Sequence, residues 1–186
     1  LNKITVLKNL EKIKRYKKDD WPEERKTLTK ELYDIIDIIA RWLYFSATRD
    51  GKKSSILEEN IKQYYFEIKP LLNQIIDVGS SKDAFLHPST THHLMQLCNV
   101  IIKYDPAGVI SIAENLCKAS ESYGYQLDSL AIGEVVSLVE ICLADFKEIL
   151  RDKKTILSLM NILNLFVKAG WPEAIQLAIR LDEVWR

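Results

Sequence analysis

Apolar residues recur along this chain at the spacing of helices, not at the alternation of strands. Near the start, Ile4, Leu7, Leu10 and Ile13 share one helical face with Val6 beside it, and lysines fill the opposite side. This predicts a short basic amphipathic helix that docks on the body with its lysines in water. Trp21-Pro22-Glu23-Glu24 then opens a second helix, because proline fixes φ where its missing N–H costs nothing and acids favour a helix N-terminus. That helix is expected to run to about Thr48. Leu28, Leu32, Ile35, Ile36, Ile39, Trp42, Leu43 and Phe45 form its wide buried face, and Asp37 and Arg41 are placed to pair one turn apart. After the polar stretch 49–53, Ser54 or Ser55 caps a third helix carrying Ile61, Tyr64, Tyr65 and Ile68 inward. Pro70 is expected to kink or break it.

Small turn-formers at 79–83 mark a possible sub-boundary, with an irregular helical part over 1–78 and regular hairpins over 84–186. The regular part reads as helices over 90–104, 106–120, 127–151, 153–169 and 172–185. Tight corners at Tyr104-Asp105-Pro106, Tyr123-Gly124-Tyr125 and Ala169-Gly170-Trp171-Pro172 fold neighbouring helices back antiparallel. The stretches from 127 and from 155 are apolar around much of their circumference and so need neighbours on more than one side. The expected fold is a single all-α domain of about eight helices, antiparallel hairpins stacked as a HEAT-like right-handed solenoid or a compact bundle.

Composition agrees with this class and narrows the partners. With 186 residues, 47% hydrophobic, six Gly and five Pro, the chain can bury a sizeable core but lacks the punctuation of a β-sandwich. Residues 1–18 hold seven bases against the single acid Glu11, while the whole chain balances 26 bases with 26 acids. The body is therefore slightly acidic, which disfavours a broad phosphate-binding surface and leaves Lys12, Lys14, Arg15, Lys17 and Lys18 as the nucleic-acid-binding alternative. Cys98, Cys117 and Cys142 lie in apolar helical stretches without CxxC spacing, which implies reduced thiols and a cytoplasmic setting. The uncharged run 155–167 would reach only about 20 Å of the roughly 30 Å of hydrocarbon that a span must cross. The first residue is Leu1, compatible with an excised piece of a longer protein.

Candidate chemistry is thin. His87, His92, His93 and Cys98 are the only grouping that resembles a metal site, yet adjacent histidines diverge on a helix, and capping by Thr90 or Thr91 explains the local polarity better; no metal or other cofactor is expected. The acidic pairs Asp34/Asp37, Glu58/Glu59 and Asp182/Glu183 read as solvated faces. Glu134 and Glu140 read as the narrow polar strip of a mostly buried helix. Nucleophile elbows, phosphate-binding glycine loops and zincin motifs do not occur, so an enzyme is not expected. A small metal-dependent enzyme is the least favoured reading.

His87-Pro88-Ser89-Thr90, Tyr104-Asp105-Pro106-Ala107-Gly108-Val109, the stretch Tyr125-Gln126-Leu127-Asp128-Ser129-Leu130-Ala131 and the ending from Gly170-Trp171-Pro172 to Trp185 are the notable local motifs. Through them residues 83–186 resemble the C-terminal helical-repeat region of large bacterial multidomain ATP-binding proteins of the signal-transduction NTPase type. The resemblance implies a recognition or assembly module and carries over no catalytic residue. The function expected from the sequence is therefore non-catalytic binding of a protein partner or of another domain of a parent chain. Trp21, Trp42, Trp171, Trp185 and Arg186 are the expected anchors, because exposed aromatic and Arg side chains carry most binding energy at interfaces.

Overall fold

The computed structural model describes residues 23–48, 58–79, 87–120 and 124–185. Among them are seven α-helices and no strand: α1 (Glu23–Ala47), α2 (Glu58–Gly79), α3 (Pro88–Ile101), α4 (Pro106–Ser120), α5 (Ser129–Asp145), α6 (Lys153–Lys168) and α7 (Pro172–Trp185). Short 3-10 turns lie at Ile102–Tyr104, Tyr125–Leu127 and Lys147–Arg151. The fold is all-α, and no described helix is long and apolar enough to cross a membrane.

Helix starts follow local chemistry. Proline occupies the first position of α3, α4 and α7, where φ is already helical and no N–H is lost. Asp128 caps α5 by accepting from the Leu130 N–H, and Asp152 caps α6 through the Thr155 N–H at 2.8 Å. The cap of α3 is His87, whose Nδ1 accepts from the Ser89 N–H, and not Thr90 or Thr91; both threonines are buried inside the first turn. Glycine marks two corners, after α6 and before the turn Tyr125–Leu127. Gly124 and Gly170 adopt positive φ (85° and 90°), a region that residues with a Cβ resist. Past Gly170, the Trp171 N–H reaches back to the Phe166 carbonyl and closes α6.

Two expectations are corrected. Pro70 does not break α2, which runs through it continuously; proline sits on an exposed position, so the Phe66 carbonyl deprived of its donor can turn to water. The expected helix 127–151 is three pieces: the 3-10 turn ending at Leu127, α5, and the turn Lys147–Arg151. The chain leaves helical geometry at Phe146 (φ −130°), and the 3-10 turn then returns Leu150 to the core.

Packing runs along two series. α1 lies against α3, α3 against α5 and α5 against α7, while α2 lies against α4 and α4 against α6. Sequence neighbours also touch, most extensively α3 with α4 and α6 with α7. One continuous core results, from Leu32 and Ile36 of α1 to Leu177 and Leu181 of α7. Tyr125 and Phe166 meet edge to face within it, ring centroids 6.3 Å apart. The proposed sub-boundary at 79–83 lies outside the described residues except for Gly79, the last residue of α2. So do the basic N-terminal segment and the caps at Ser54 and Ser55.

Candidate recognition surface

Asp37, Asp105, Glu114, Glu134 and Glu140 join helices. Each pair of helices two apart shares a polar contact. Asp37 of α1 accepts from Ser89 and Thr90 of α3 at 2.7 and 2.9 Å, and Arg41 pairs with it as expected. Asp105, at the head of α4, accepts from the Tyr65 hydroxyl and the Lys69 ammonium of α2 at 2.6 and 2.7 Å and from the Gly108 N–H of its own helix. Asn99 of α3 donates to the carbonyl and the carboxylate of Glu134 on α5. Glu114 of α4 holds Ser158 and Asn161 of α6 at 2.7 Å each. Glu140 of α5 faces Arg180 of α7 at 3.6 Å. Glu134 and Glu140 thus lie on a polar strip, as the sequence suggests, and the strip is used to align helices.

These contacts leave an electrostatic signature. Burial pushes the carboxyls of Asp37, Asp105 and Glu114 up, but the hydrogen bonds they receive outweigh it and leave all three below the ordinary values of 3.8 for Asp and 4.5 for Glu. A depressed folded-state pKa contributes stability that is present above the unfolded value and is lost as pH falls through the folded one. The urea midpoint is therefore expected to hold between pH 7 and 5 and to drop as the pH goes below about 4. In a variant with Asp37→Asn, Asp105→Asn and Glu114→Gln, that acid-side drop should shrink measurably.

Among the described residues no three His, Cys, Asp or Glu side chains are placed to hold a metal. His87 caps α3, and His93 Nδ1 lies 2.7 Å from the Ser89 carbonyl, a geometry that puts its proton on that nitrogen. All three cysteines are free and buried. Burial pushes their thiols up, Cys117 and Cys142 each to about 12, which keeps them protonated and unreactive.

The expected tryptophan anchors separate. Trp171 is half-buried and donates its Nε1–H to the Gln126 carbonyl at 2.7 Å, so it fastens the corner before α7 to the turn Tyr125–Leu127. Trp185 is 50% exposed at the end of α7. Trp21 and Arg186 lie outside the described residues, as do Lys12, Lys14, Arg15, Lys17 and Lys18. Trp42 is 71% exposed toward the C-terminal end of α1. It belongs to a stripe. Ile35, Ile38, Trp42 and Phe45 are all exposed and follow one another at steps of three and four residues.

Here the sequence reading needs correction, since Ile35, Trp42 and Phe45 were expected in the buried face of this helix. The inward face is Leu32, Ile36, Ala40, Leu43 and Ala47, with Asp37 and Tyr44 beside it toward α3. α1 is thus apolar on two faces, and among the described residues only one is covered. Clustered exposed apolar side chains are uncommon on soluble proteins and mark binding surfaces far more often than isolated ones do. On α7, Ile175 and Ile179 form a smaller exposed apolar pair one turn apart. No family model matches this chain, and neither the curated proteins nor the solved structures contain a match to it.

Proposed function

We propose that this chain is a non-catalytic recognition module of stacked helical hairpins that binds a protein partner or another domain of a parent chain, in the cytoplasm. The observation that carries this reading is the exposed stripe Ile35, Ile38, Trp42 and Phe45 on α1. The packing of each helix on the next but one supports the stack, because a solenoid propagates by that contact. Its first and last helices in one series, α1 and α7, then present their outward faces as the two ends, and both carry exposed apolar side chains. The use of Asp37, Asp105, Glu114 and Glu134 in helix-joining contacts supports a scaffold over a catalytic site. The likeness of residues 83–186 to the repeat regions of bacterial signal-transduction NTPases points the same way.

The binding mode is helix-on-groove or helix-on-helix, with Trp42 as the central anchor. Removing an anchor of this kind costs 2 kcal/mol or more of binding, about a thirtyfold loss of affinity. A photo-crosslinking residue at position 42 identifies the partner by mass spectrometry, with position 148 as a control. The purified partner is then titrated against Trp42→Ala. The expected result is a loss of about thirtyfold in affinity, with folding stability changed by no more than about 0.5 kcal/mol, since Trp42 is exposed. An affinity within a factor of about two of the parent chain sinks the reading. Binding that is instead abolished by salt and by neutralising Lys12, Lys14, Arg15, Lys17 and Lys18 would favour nucleic acid as the partner.

A further inference from the structure

The exposed stripe of α1 carries its own electrostatic complement. Ile35, Ile38, Trp42 and Phe45 stand on the side of the helix opposite Ala40, which is fully buried. Along one edge of the stripe lie Asp34 and Arg41, both exposed and about two turns of helix apart. One guanidinium nitrogen of Arg41 bonds Asp37 at 3.3 Å, and a guanidinium has further N–H donors to offer. An acid and a base thus border one apolar strip, the acid toward its N-terminal end and the base toward its C-terminal end. A second copy of the same helix laid antiparallel on the strip sets each Asp34 beside the other copy's Arg41, on both sides of a twofold axis. A parallel copy sets acid on acid and base on base, which is repulsive.

We propose that the occupant of the stripe is a second copy of this chain, docked by an antiparallel, twofold-symmetric pairing of α1 with α1. This rests on the reading of the stripe as a binding face and names its partner. With the two Ile38 side chains meeting at the axis, Ile35 of each copy falls opposite Trp42 of the other, and Phe45 closes the two ends. Asp34 then lies within about 2 Å, measured along the helix, of Arg41 in the second copy. The four apolar side chains with Asp34, Arg41 and Ser46 at the rim bury on the order of 1,000 Å² over the two copies, the lower end for a specific interface. The dimer is accordingly a weak one that exchanges, with a Kd on the order of 10–100 µM. Substitution of Trp42 leaves the chain monomeric, because each Trp42 supplies half of the central apolar contact.

Sedimentation velocity of the full chain between about 1 and 500 µM reads the association. The expected result is a concentration-dependent shift from monomer to dimer, weakened about tenfold or more by Trp42→Ala and unchanged by Ile179→Ala on α7. Asp34→Arg and Arg41→Glu are each expected to weaken it on their own, and their equimolar mixture to restore it, since the mixed pair regains both acid–base contacts. Disulfide trapping fixes the geometry, because two cysteines join only when their Cα atoms come within about 7 Å. Ile38→Cys alone is expected to join two chains, its Cα atoms about 5 Å apart across packed helices. Phe45→Cys, with its two copies about 20 Å apart along the axis, is expected not to. These positions are exposed, so folding tolerates the changes, and the native thiols are buried and stay out of the exchange. A chain that stays monomeric at the highest concentration overturns the proposal. So does self-crosslinking of Phe45→Cys as fast as that of Ile38→Cys, which means a parallel pair. A monomeric chain that still binds a different protein through position 42 overturns the second copy and leaves the recognition reading standing, so the two ideas fail separately.

Discussion

Replacing Phe166 by alanine is expected to destabilise the fold by about 4 kcal/mol, which is the usual cost of emptying a fully buried aromatic site. Phe166 has no exposed surface, and it packs edge to face on Tyr125. It also supplies the carbonyl that the Trp171 N–H closes on at the end of α6. The cavity therefore opens where α6, the turn Tyr125–Leu127 and the corner into α7 meet. Urea denaturation measures the loss as a lower midpoint at unchanged slope. Tyr125→Phe is the contrasting variant. Its hydroxyl is buried without a protein hydrogen-bond partner, so deleting it should be neutral or stabilising by up to about 1 kcal/mol. A loss of more than about 1 kcal/mol for Tyr125→Phe would show that the hydroxyl is satisfied in solution.

Asp105→Ala is expected to cost about 3 kcal/mol, the sum of a lost helix cap and a Tyr65 hydroxyl left without its acceptor. For a chain of this size that is a fall in Tm of about 10 °C. Tyr65→Phe should cost only about 1 kcal/mol, because the cap and the Lys69 contact survive. Gly108→Ala probes the same group from the other side. A Cβ at Gly108 would collide with the Asp105 carboxyl, its carbon 2.6 Å away. The carboxylate must then swing off its partners, which offsets the helix propensity gained from alanine. Gly108→Ala is expected to lose stability, and to lose none when Asp105 is already alanine. Differential scanning calorimetry of the four proteins supplies the double-mutant cycle.

Asp105 illustrates how much of this fold is legible in the sequence. The corner Tyr104-Asp105-Pro106 announces a helix start, and α4 begins at Pro106 as read; α7 begins at Pro172 for the same reason. Local rules succeed where the signal is local. Which distant groups meet at that start, Tyr65 and Lys69 from α2, depends on tertiary packing that no window of sequence contains. The break at Phe146 was missed because neither glycine nor proline marks it; the need to return Leu150 to the core decides it. Pro70 was over-read in the opposite sense, since a proline on a solvent-facing side of a long helix can be accommodated.

The exposed stripe of α1 was half legible. Trp42 is exposed, which is the condition the sequence set for an anchor, but the sequence assigned Ile35 and Phe45 to the core along with it. A helix apolar on two faces gives the same sequence pattern whether both faces are covered or only one. Only the placement of α3 against Leu32, Ile36 and Ala40 shows which face is taken. Trp171 shows the reverse case. An aromatic at a corner reads as an anchor, yet its indole N–H is bound to the Gln126 carbonyl, so it serves the fold.

Recognition at the ends of the molecule requires that α1 and α7 be the two ends of a stack, for only then do Trp42 and Ile179 look outward in opposite directions. Nitroxide labels at Trp42→Cys and Ile179→Cys, read by pulsed electron-electron resonance, measure this directly, because the buried native thiols do not take the label. Three successive packings from α1 through α3 and α5 to α7, at 8–10 Å each, separate the end helices by about 25–30 Å. With both labels on outward faces, a single distance above about 30 Å is predicted. A distance below about 20 Å, as expected if α7 folded back beside α1 in a closed bundle, would contradict it.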